Sequence, residues 1–171
     1  GMSSGEITIA SGDSVGRRSG TLSMTSGASD TNIPGHMRLV VGNTAVGAAG
    51  DISVTAGTTT SGEATGGNVC LHGGNGGGRG GNICLLGASS PTNGGSVSVE
   101  TGTSPGISGQ LSIRSSDSES TGSVSLGSGS SSTGSSGSVC LSSGMSSGEG
   151  GSVCVGVGTS AEASVGGGVR L

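Results

Sequence analysis

The chain has 171 residues, of which 41 are glycine and none aromatic; 29% are hydrophobic and the formal charge is −4. Such a composition excludes an ordinary globular core, because little apolar surface is available to offset about 1–2 kcal/mol of backbone entropy per ordered residue. Six arginines and no lysine, against ten acidic residues, leave no basic stripe, and the lack of aromatics leaves no stacking platform, so nucleic acid is not an expected partner.

The first predicted element is Gly5-Glu6-Ile7-Thr8-Ile9, whose apolar and polar residues alternate with the period of two that an extended, half-buried segment requires. The same unit, Gly-x-φ-x-φ-x-x-Gly-x-Ser with φ aliphatic, then recurs along the chain. Its first φ falls at Ile7, Leu22, Met37, Ile52, Val69, Ile83, Val97, Leu111, Val124, Val139, Val153 and Val169, twelve positions whose spacing stays within a residue or two of a common period. The second φ follows two residues later, from Ile9 to Leu171. A fixed period of this length marks a stacked repeat architecture, and a flexible linker has no reason to keep it. The predicted fold is therefore all-β: a parallel β-solenoid of twelve repeats of about 14–15 residues, with residues 1–4 as a terminal stretch and residues 5–171 as one repeat domain.

Two repeats per coil is the expected winding, because it faces one aliphatic column with another and is indifferent to changes in tip length. One repeat of about 15 residues per coil is the alternative, and antiparallel meanders and intertwined trimers come behind both. A glycine stands two residues ahead of every first φ, as at Gly67, Gly81 and Gly95, where a turn needs either positive φ or close backbone approach. All variation in repeat length falls in the segment before that glycine, which reads as a loop tip; Ser61–Gly66 of the longest repeat is an example. No capping segment is legible at either end, so the chain reads as part of a longer array or as a subunit that stacks end to end. No leader is legible either, since residues 1–25 already belong to the repeat, and no apolar run of about 20 residues predicts a membrane span.

Seven residues after the first φ stands a hydroxyl in nearly every repeat: Ser14, Ser29, Thr44, Thr59, Ser90, Ser104, Ser118, Ser131, Ser146 and Ser160, interrupted by Gly76. Its ordinary task is to satisfy backbone groups of the turn. The alternative is an exposed hydroxyl ladder, a flat Ser/Thr face that binds ice or a polysaccharide. Four cysteines, Cys70, Cys84, Cys140 and Cys154, occupy the place between the two φ residues where Ser or Thr usually sits. Structural thiols fit that place best, and disulfides within each pair are the alternative. Zinc is disfavoured, because the spacing of 14 has no close Cys-x-x-Cys knuckle and His36 and His72 fall in other columns.

The run Gly73–Gly81 lacks the Lys-Ser/Thr pair of a phosphate loop and the aspartate of a calcium nonapeptide, so it reads as a loop stripped of side chains. Asp117 and Glu119 sit among serines with no apolar pocket around them and read as a solvated pair. Neither catalytic residues nor a cofactor nor a metal is expected.

The unit Gly-Ser-Val-Ser-Leu-Gly-Ser-Gly-Ser-Ser at residues 122–131 resembles the Gly/Ser-rich repeat arrays of large surface and matrix proteins of microbial eukaryotes and of some adhesins. The resemblance implies a rod or spacer without catalytic residues, placed outside the cell or on a cell or virion surface. The period also resembles that of trimeric viral fibre shafts, although those units carry two hydrophobic segments each and this one carries a single aliphatic pair. The expected function is a non-catalytic structural module: a rigid spacer, a stalk, or a matrix element that forms homo-oligomers end to end or side by side.

Overall fold

A computed structural model of the protein describes residues 4–158 and 167–170. Among the described residues the backbone forms no helix and no strand. The β-solenoid expected from the period, in either winding, is therefore corrected: the repeats are real, but they do not stack into a sheet. A solenoid needs each extended segment to pair with a neighbour about 4.8 Å away along its whole length. Here the backbone–backbone hydrogen bonds of the described residues are confined to loops, five of them, all between residues 57 and 109.

The physical reason is a shortage of material to bury. A folded monomer of 15.7 kDa exposes about 7,300 Å² and its extended chain about 23,000 Å². This chain exposes 17216 Å², and among the described residues no side chain of either kind is buried. With two aliphatic residues in a repeat of about fifteen, nothing within one chain holds successive segments together tightly enough to form a ladder.

Local order is nevertheless present and follows the repeat. Thr8 Oγ1 donates to Glu6 Oε1 at 3.3 Å, and Ser98 Oγ donates to Glu100 Oε1 at the same distance. Side chains two apart lie on the same side of an extended backbone and meet in this way there, with the residue between them, Ile7 or Val99, turned to the other side. In these two repeats the period of two is thus kept although no ladder forms.

Among the described residues, bends occur only in the tips. In every described repeat except the longest, the bend begins one residue after the hydroxyl position, as at residues 15–17, 45–47, 91–92 and 132–134. Two bends use a glycine in the left-handed region, Gly16 at φ 76° and Gly47 at φ 90°. The glycines that lead the extended segments all have negative or extended φ, so the positive-φ option is excluded for them.

What four of those leading glycines do is close their loops. The N–H of Gly67 donates to Gly57 O at 2.9 Å, those of Gly81 and Gly95 donate to Gly74 O and Ala88 O at 2.8 Å, and that of Gly109 donates to Gly102 O at 3.3 Å. In each case a carbonyl five residues past the first φ meets the amide that begins the next unit. Close approach is the constraint here: a β-carbon on Gly81 would lie 3.1 Å from Gly74 N, and one on Gly95 equally near Ala88 N. The only two half-buried residues among those described are Ala56, just before the carbonyl that the Gly67 N–H meets, and Ser115.

The chain divides into two units, Gly1–Leu86 and Gly87–Leu171. The first carries the aliphatic pairs from Ile7/Ile9 to Ile83/Leu85 and the second those from Val97/Val99 onward.

Candidate functional site

Two sets of side chains repeat often enough to act as a site: the tip hydroxyls and the aliphatic pairs. The hydroxyls are engaged locally. Asn32 N–H donates to Ser29 Oγ at 3.1 Å, Val46 N–H to Thr44 Oγ1 at 3.3 Å, and Ser61 N–H to Thr59 Oγ1 at 3.2 Å. Thr92 N–H donates to Ser90 Oγ at 3.4 Å, and Gly106 N–H to Ser104 Oγ at 3.2 Å. Gly134 N–H reaches Ser131 Oγ and Gly148 N–H reaches Ser146 Oγ, both at 3.0 Å. Each bond spans two or three residues and fastens the bend that follows it, the usual local use of a Ser or Thr in a turn. Thr44 Oγ1 also donates to Val46 O at 2.7 Å, so this hydroxyl is spent in both senses on its own tip. Ser14 and Ser118 make no such bond among the described residues, and Ser160 lies outside them.

The aliphatic pairs are open. First-column side chains from Leu22 to Val169 are 50–61% exposed and those of the second column, Ile9 to Val155, are 61–75% exposed. Columns expected to point into a core thus face solvent; Leu171, the last of them, lies outside the described residues. Full burial of one such side chain removes roughly 60–120 Å² from water. Summed over its pairs, each unit therefore leaves several hundred Å² of aliphatic surface uncovered.

Charge is kept away from these positions. Glu6, Asp51, Arg38, Arg170, Glu100 and Arg114 occupy the alternate positions of the extended segments, Arg17, Arg18, Asp30, Glu63, Arg79, Glu119, Glu149 and Glu162 fall in the tip segments of the sequence, and Asp13 and Asp117 stand just before the tip hydroxyl. No first or second φ is charged in any repeat. The sequence pattern thus gives each extended segment an uncharged aliphatic side and a polar side, and the bonds from Thr8 to Glu6 and from Ser98 to Glu100 place the polar side directly.

The four cysteines are free and exposed, in the polar alternation beside the pairs. Among the described residues no group of three or more His, Cys, Asp or Glu comes together in a way that could hold a metal ion. No helix among them is long and apolar enough to cross a membrane, since they form no helix at all. The glycine run 73–81 is a tight tip. A β-carbon at Gly76 would collide with the Arg79 carbonyl, and one at Gly73 with the Gly81 carbonyl.

Sequence reasoning placed the tips, the hydroxyls and the pairs but missed the closing bond into the leading glycine. Its signal was present in the two glycine columns, five residues after one φ and two before the next. The glycines of the first column, such as Gly74 and Gly102, meet nothing that a β-carbon would disturb, and the structure gives no reason for their being glycine. In comparisons with family models, curated proteins and solved structures, the chain matches none of them.

Proposed function

We propose that the protein is a non-catalytic structural repeat module, a spacer or matrix element whose copies associate. The observation that carries this reading is the uniformity of the chain: the aliphatic pair and its leading glycine recur twelve times, and no repeat departs from the rest in a way that would single out a reaction centre. Enzymes concentrate convergent polar groups at one place, whereas this chain spreads identical small groups over its length. The local use of seven ladder hydroxyls in their own bends supports the structural reading over binding of ice or polysaccharide.

The spacer role is tested by placing the whole chain, and then a tandem duplicate of it, between two fluorescent reporter domains. A spacer gives a separation that doubles on duplication. A flexible linker gives a rise of about 1.4-fold, following the square root of length, and that result would reject the spacer role.

A further inference from the structure

We infer that the aliphatic pairs form a docking face for a second copy of this chain, an inference that rests on the structural reading above and specifies its interface. Three observations fix the occupant. The first is area. The aliphatic surface left open by each unit, summed over its pairs, is of the same order as the apolar share of a standard interface, which buries about 800 Å² per partner and is about 56–58% non-polar. The second is period. A covering surface must present apolar side chains in pairs two residues apart and repeat those pairs at the same slightly uneven intervals, and a second copy carries that same succession of spacings. The third is charge. With net charge −4 two copies repel weakly, yet neither position of any aliphatic pair is charged, and the charged residues stand beside the pairs in the polar alternation, just before the tip hydroxyl or in the tips, so the pairs of two copies can meet with no charge between them. A membrane surface fits less well, because the chain has no lysine and no tryptophan or tyrosine to anchor it at an interface.

Covering the face also answers the exposure of the lone chain. Its 17216 Å² of surface falls when a second copy supplies the missing layer. The extended segments bring unpaired backbone groups to the same contact, because the five backbone bonds of the described residues lie in loops.

The test is sedimentation velocity of the full chain from micromolar to millimolar concentration, with two charge-matched variants. In one, Val139→Asp and Leu141→Asp place two carboxylates on the aliphatic side; in the other, Ser138→Asp and Ser142→Asp place the same charge in the polar alternation. Both pairs are exposed in the lone chain, so neither change removes a packed core. The wild type is expected to pass from monomer to dimer or a higher multiple of itself, the aliphatic variant to need at least tenfold more protein for the same transition, and the polar variant to stay within twofold of the wild type. Equal weakening by both variants overturns the docking face, as does a wild type that remains monomeric throughout. Monomers captured instead by phosphatidylcholine vesicles or by cellulose oligosaccharides overturn it too. If association fails while reporter separation still doubles on duplication, the interface is wrong and the spacer reading stands. If separation follows the square root while association occurs, the reverse holds.

Discussion

Gly87 and Gly95 illustrate how much of this chain's order rests on the absence of a side chain. The Gly95 N–H donates to Ala88 O, and the room for that bond exists because Gly87 has no β-carbon to strike the Gly95 carbonyl. Gly87→Ala is therefore expected to open the loop at a cost of about 0.5–1.5 kcal/mol, the net worth of one hydrogen bond. Amide exchange of Gly95 should then accelerate several-fold toward that of Gly122, which closes no loop among the described residues. An unchanged rate would mean that the bond does not hold the corner. The tip hydroxyls act on the same scale. Ser104→Ala removes the acceptor of the Gly106 amide and should speed its exchange, whereas Ser104→Thr, which keeps the oxygen, should not.

At the scale of the element, the tip and the pair obey different rules. A tip absorbs length, since short and long repeats alike return to a leading glycine, while the pair depends on register. Inserting one serine after Cys140 puts Leu141 on the opposite side of the segment from Val139. That insertion should weaken self-association about as far as the paired Asp substitutions, and one serine inserted between Glu63 and Ala64 should not, both read by sedimentation. The turn there, closed by the Ala64 amide on Ser61 O at 3.2 Å, lies well away from any pair.

These elements also mark how far the amino acids could be read. Alternation at Glu6-Ile7-Thr8 and the hydroxyl at the head of most bends were legible because both are local, decided within three or four residues. The sheet was wrongly expected because pairing is not local: period shows that segments are alike, but whether they touch depends on how much surface each can bury. The aliphatic pair was accordingly read as an inward column when it is an outward one. The leading glycines were half legible, since the sequence allowed either positive φ or close approach and Gly81 and Gly95 use only the second.

For the whole molecule, the exposed area sets the thermodynamics. Unfolding raises heat capacity in proportion to the apolar surface that it newly exposes, and a dilute chain that already exposes most of its surface has little left to give. Calorimetry of the monomer should show no cooperative endotherm, and an endotherm should appear at concentrations where copies associate. A sharp, concentration-independent transition would show instead that one chain holds a core. The placement of charge has a last consequence. Since no aliphatic pair carries an ion, its cohesion is governed by water and not by counterions: chilling should loosen the assembly, sulfate should tighten it, and dilute sodium chloride should scarcely matter. A material built this way would set on warming and soften in the cold.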